Sequence, residues 1–192
     1  MANRAFISIW IPGFAEASML ETFGKVLGTV PFSASQPGIT GLVIRAVGSW
    51  EAPLEEHDLR AAPATPDGCI TLARFHESFD CAYEARCYWD QWTDESGSWQ
   101  LAPRPLEIAC LGEQYDDGAF QQAGHVRIDL GFAESFVCDE SPGGQAKRSE
   151  NIRALYMWLR QIRDTVAIGR QVLWSEEDES LEAQLDAALA QS

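Results

Sequence analysis

The chain lacks any run of about 18 apolar residues, the length a membrane-spanning helix requires, so no such span is expected. Basic charge is scarce: 14 Lys and Arg stand against 29 Asp and Glu, a formal charge of −15. A field of that sign repels phosphates and anionic headgroups, so neither nucleic acid nor a membrane surface is expected as a partner. The first residues show no basic segment followed by an apolar stretch, which points away from export and toward the cytoplasm. C-x-x-C spacing is missing too. The five cysteines, Cys69, Cys81, Cys87, Cys110 and Cys138, are odd in number, and three fall on apolar strand faces. They are expected to be reduced, buried thiols acting as small hydrophobes.

Motifs of known chemistry are also absent. There is no G-x-S-x-G nucleophile elbow and no Cys with a positioned His. His57 among Glu55, Glu56 and Asp58, and His76 near Cys69 and Cys81, lack the ligand spacing of structural zinc sites. No metal or cofactor is expected. S-P-G-G-Q-A-K-R-S stands before a helical pattern but lacks the G-x-x-x-x-G-K-[ST] register of a phosphate loop. Lys147 and Arg148 at a helix start attract anions in a general way, and a flexible linker is the simpler reading.

What is present is a two-residue beat. From Asp80, the residues Cys81, Tyr83, Ala85, Cys87 and Trp89 fall on one side of a strand, and Ala82, Glu84, Arg86, Tyr88, Asp90 and Trp92 on the other. The beat returns in Leu106, Ile108 and Cys110 against Glu107, and in Val126, Ile128 and Leu130 against His125, Arg127 and Asp129. Strands with one greasy and one ionic side belong to an antiparallel sheet half covered by helices. Further strands are expected at Arg4 to Ile11, Ile39 to Val47 and Gln171 to Trp174, the last as an edge. Apolar residues at helical spacing mark helices at 14–27, 69–79, 149–168 and after Ser175-Glu176-Glu177-Asp178, with Ser149 and Ser175 as caps. A-P-R-P is expected to delay the strand at Leu106 until about Pro105.

The expected fold is therefore α+β: an antiparallel or mixed sheet of five to six strands with helices on one face, compatible with ferredoxin-like halves. At 192 residues the chain suits a single compact domain, removing roughly 70% of its unfolded surface from water without a disulfide or metal. Two structural halves, 1–60 and 69–192, would meet at the Pro-rich acidic segment 48–68.

Charge is concentrated. Residues 49–120 carry fifteen acidic and four basic side chains. Within this block Trp50, Trp89, Trp92 and Trp99 stand beside Glu51, Asp90, Asp94 and Glu95, the make-up of a protein-recognition surface. Two functions follow. The first is a non-catalytic, acidic, cytoplasmic interaction domain, an inhibitor or immunity-type factor for a basic protein, binding through Glu84, Arg86, Asp90, Trp92, Trp99, His125, Arg127 and Asp129. The second is a small enzyme in which His125 works with Glu84, Asp90 or Asp129 as general acid and base. Cross-strand charge pairs on a solvated sheet would give the same pattern without either function.

Overall fold

The computed structural model describes residues 3–95, 97–137, 144–176 and 181–190. Seven strands build one sheet: β1 (Arg4–Trp10), β2 (Ile39–Ala46), β3 (Glu55–Asp58), β4 (Cys81–Glu95), β5 (Ser98–Leu111), β6 (Val126–Phe132) and β7 (Arg170–Ser175). Their spatial order is β3-β2-β4-β5-β6-β1-β7, and every pairing is antiparallel. Among the described residues there are five α-helices: α1 (Glu16–Leu27), α2 (Pro66–Ala73), α3 (Phe120–Ala123), α4 (Gly144–Thr165) and α5 (Leu181–Ala190). The fold is α+β.

The sheet is larger than the expected five or six strands, because Glu55–Asp58 forms β3. That segment carries no apolar alternation, only Glu-Glu-His-Asp, and hydropathy cannot reveal it. It is a strand because β2 offers an edge: Gly41–Ile44 pair with it. β5 also starts earlier than Pro105, at Ser98, in spite of Pro103 and Pro105. The two prolines have the same parity, and β6 pairs with β5 only from Glu107 onward. Here β5 is an edge strand, so an absent N–H directed outward interrupts no ladder.

The beat in the middle of the chain partitions the sheet as expected. Cys81, Tyr83, Ala85, Cys87 and Trp89 are buried, with Leu106, Ile108, Cys110, Val126, Ile128 and Leu130. Against them pack Met19, Leu20, Phe23, Val26 and Leu27 of α1 and Ile152, Leu155, Leu159 and Ile162 of α4. Trp158 meets Trp89 edge-on with ring centroids 5.7 Å apart, and its Nε1 donates to Thr29 Oγ1 at 3.0 Å. Two arms of this core are held by polar bonds. Tyr156 donates to Asp186 Oδ1 at 2.7 Å, tying α4 to α5. Asn151 Oδ1 accepts the Trp92 N–H and its Nδ2 donates to the Trp92 carbonyl, both at 2.8 Å, so one side chain stands in for a neighbouring strand where β4 has lost β2.

Helix boundaries differ from the expected ones for local reasons. α2 begins at Pro66, because Thr65 accepts the Gly68 N–H and proline at the first helical position needs no donor. α4 begins at Gly144, so Ser149 is a buried helical residue and not a cap. Its early start is anchored by Lys147, whose Nζ sits 3.5 Å from the Trp92 ring centroid, and by Arg148, 4.7 Å above that of Trp99. Ser175 belongs to β7 and does not cap α5. Glu177, Asp178, Cys138 and the segment 141–143 lie outside the described residues. Nor do all helices share one face: α3 sits on the other side, where Tyr115, Ala119, Phe120 and Ala123 cover Ala82, Ala109 and Leu111.

Candidate functional site

Strand register arranges the open face in rows. One row crosses β3, β2, β4, β5 and β6 as Asp58, Gly41, Arg86, Glu107 and Asp129. The next runs Glu56, Val43, Glu84, Ala109 and Arg127, continuing to Ser8 on β1. Arg86 directly faces Glu107, whereas Glu107 and Asp129 are like charges side by side, and the remaining ion pairs form between rows. Arg86 reaches Glu107 at 3.4 Å and Glu56 at 3.5 Å. Arg45 reaches Glu84 at 3.6 Å. Asp129 takes Arg4 Nη2 at 2.6 Å and, through its other oxygen, the Gly131 N–H at 2.9 Å.

Glu84 is a half-buried carboxylate of this face. Burial raises its pKa, the neighbouring Glu107 adds to the rise, and Arg45, Arg127 and Arg86 oppose it. Asp90 accepts the Ala34 N–H at 3.0 Å and fixes the loop before β2. An open groove of about 400 Å³ crosses this face, with Arg4, Arg60, Arg86, Tyr88, Glu56, Asp58 and Glu107 among its walls. Each of its arginines already holds a carboxylate: Asp129, Asp58, and Glu56 with Glu107.

His125 stands apart from the rest. Only 5% exposed, it lies under α3 between Phe14 (ring centroids 4.3 Å apart) and Phe120 (4.8 Å), with both rings nearly parallel to its own. Its Nδ1 accepts the Ile11 N–H at 2.9 Å, which places the proton of the neutral ring on Nε2, 3.3 Å from Glu113 Oε1. Gly124 allows this. It adopts φ +84°, and a Cβ there would fall 2.6 Å from Ile9 N. Burial lowers the His125 pKa, and Glu113 opposes that shift. The hydrogen bonds and ion pairs of the described residues join His125 to Ile11 and Glu113, not to Glu84, Asp90 or Asp129.

The candidate residues thus form three groups. Glu84, Arg86, Arg127 and Asp129 share the open face. His125 is stacked at its margin, and Trp92 and Trp99 sit at the far tip of the β4–β5 hairpin, each covered by a cation from α4. One constellation escaped sequence reasoning. Glu55 binds His57 Nε2 at 2.8 Å with one oxygen and His76 Nε2 at 3.0 Å with the other, and the two histidines lower its pKa. Residues nineteen apart in sequence meet there only because β3 joins the sheet. Among the described residues no group of three His, Cys, Asp or Glu is placed to hold a metal ion.

The four described cysteines are buried and unbridged. Burial pushes the thiols of Cys69 and Cys87 up to about 12 and that of Cys81 to about 11, so none is a nucleophile at neutral pH. No helix among the described residues is long and apolar enough to cross a membrane. Compared with protein-family models, with curated proteins and with solved structures, the chain matches none.

Proposed function

We propose that this chain is an acidic protein-interaction domain whose partner is a basic protein, in the manner of an inhibitor or immunity factor acting in the cytoplasm. The observation that carries the reading is the way the open face handles charge. Arg4, Arg45 and Arg86 pair with Asp129, Glu84 and Glu107 across strands, and His125 is held between two phenylalanines with Nδ1 occupied by a backbone N–H. His125 bonds Ile11 and Glu113 and none of Glu84, Asp90 and Asp129, which speaks against acid–base chemistry by His125 with those carboxylates. The acidic excess of residues 49–120 remains and supplies long-range attraction for a cationic surface.

The reading is tested by immobilising the full chain and offering it a lysate at low and high ionic strength. Basic proteins are expected to be retained at low salt and released as the screening length falls below about 10 Å near 0.1 M. Retention of no basic protein, or retention indifferent to salt, overturns the proposal.

A further inference from the structure

Each arginine of the open-face groove holds a carboxylate. Arg104 on β5 does not. It is partly buried, its Cζ lies 6.0 Å from the Phe132 ring centroid, and among the described residues it makes no hydrogen bond or ion pair. It lines a separate cavity of about 190 Å³ together with Thr93, Trp99, Phe132 and Arg148. The sheet itself leaves this space. β6 pairs with β5 only over Glu107–Cys110, so β5 from Ser98 to Leu106 has no strand on that side. Around Gly131, at φ +83°, β6 also shifts register against β1, and Phe132 beyond it is 40% exposed.

The wall combines cations with rings. Arg148, 4% exposed, holds its Cζ 4.7 Å from the Trp99 centroid, and its Nε donates to the Glu134 carbonyl at 3.1 Å. Asp94 and Glu134 line the cavity too, but both are exposed. Water screens those two carboxylates, whereas the guanidiniums are partly or wholly withdrawn from it, so the least screened charges of the wall are positive. Thr93 adds a polar group in waiting. It is 7% exposed, and its Oγ1 has no hydrogen-bond partner among the described residues.

We propose that this cavity binds a small aromatic carboxylate, with the carboxylate on Arg104 and the ring against Trp99 and Phe132. The guanidinium fork matches a carboxylate, and the two aromatic side chains offer apolar faces to a planar ring. The volume lies below the roughly 300–1,000 Å³ of sites for drug-sized ligands, which limits the occupant to about one ring. A monoanion is favoured over a phosphate dianion, because the field of a chain carrying −15 penalises the dianion about twice as much. This site is independent of the basic-partner reading.

The test titrates the ¹⁵N-labelled full chain with benzoate, benzamide, acetate and inorganic phosphate, following the indole N–H signal of Trp99. Benzoate is expected to shift that signal and to bind about tenfold more tightly than benzamide or acetate, which is about 1.4 kcal/mol. Arg104→Gln should lose about tenfold in benzoate affinity and leave benzamide unchanged. Thr93→Val should weaken benzoate about threefold, and Arg160→Gln, exposed on α4, should change nothing. Arg104→Gln removes no hydrogen bond or ion pair of the described residues, so it is expected to fold, which a melting curve verifies. The proposal is overturned if benzoate leaves the Trp99 signal unmoved, if benzamide binds as tightly, or if Arg104→Gln binds benzoate like the wild type. Phosphate binding more tightly than benzoate would show an oxyanion site without ring recognition, and would overturn it as well. None of these failures touches the salt-dependent retention of basic proteins, which tests the other reading.

Discussion

At the scale of the residue, two side chains carry the sharpest consequences. His125 is kept neutral by burial, so its folded pKa lies below the unfolded value near 6.5. As pH falls through that unfolded value, the unfolded chain takes a proton that the folded chain refuses, and stability drops until the folded pKa is reached. Urea midpoints measured from pH 7.5 to 5 should show this decline, and His125→Gln should flatten it. His125→Leu should cost about 1–3 kcal/mol at pH 7.5, because the Ile11 N–H loses its acceptor inside the protein. Val47 gives the opposite sign. Val47→Gly relieves a left-handed β-branched residue and should raise the melting temperature, unless glycine's greater unfolded-state entropy cancels the gain.

At the scale of the element, the β4–β5 hairpin outruns its neighbours and depends on α4. Beyond Cys87 the edge of β4 is no longer paired with β2, and Asn151 occupies it, bonding both backbone groups of Trp92 and also the Ser135 carbonyl at 2.8 Å. Past the Phe32–Trp89 bridge and the Ser33 N–H bond to the Tyr88 carbonyl, a bare strand edge here would invite pairing with another chain. Asn151→Ala should therefore destabilise the fold by about 2–4 kcal/mol, judged from the groups left unpaired. It should also raise the rate of aggregation on heating, followed by light scattering. α2 is a smaller case. Thr65→Ala removes its cap and should cost about 1 kcal/mol in a denaturant titration. That cap stands in the letters Thr-Pro-Asp, a legible start signal three residues before the helix suggested by the apolar spacing alone.

At the scale of the whole molecule, the dominant quantity is the charge of −15. Carboxylates outnumber the bases that could pair with them, so the compact state carries net self-repulsion. Moderate salt should relieve it: the melting temperature is expected to rise by roughly 2–4 °C, about 1 kcal/mol, between 10 and 150 mM sodium chloride. A fall over that range would mean that the cross-strand pairs outweigh the repulsion. The sheet interleaves early and late segments, since β1 lies between β6 and β7 while β2 and β3 stand at the opposite end. Pairing of that range must form before much of the core is rewarded, which makes slow folding the expectation for a stopped-flow measurement.

What the sequence by itself determined is the partition of the sheet. Tyr83, Cys87 and Ile108 lie inside while Arg86 and Glu107 reach solvent, because a period of two leaves a strand with one dry face no other register. The helical stripe of α1 and the buried thiols were legible for the same reason: burial of apolar surface is written in local spacing. Tertiary structure alone decided the rest. β3 exists because β2 had an edge to fill, and His57 meets His76 only as a result. His125 carries the parity of the polar face, yet α3 closes over it and Glu113 replaces the carboxylates that alternation set beside it. Which cation covers Trp92 and Trp99 is a matter of what packs across long separations in the chain. Such contacts are fixed by the assembled shape and leave no periodic trace in the order of residues.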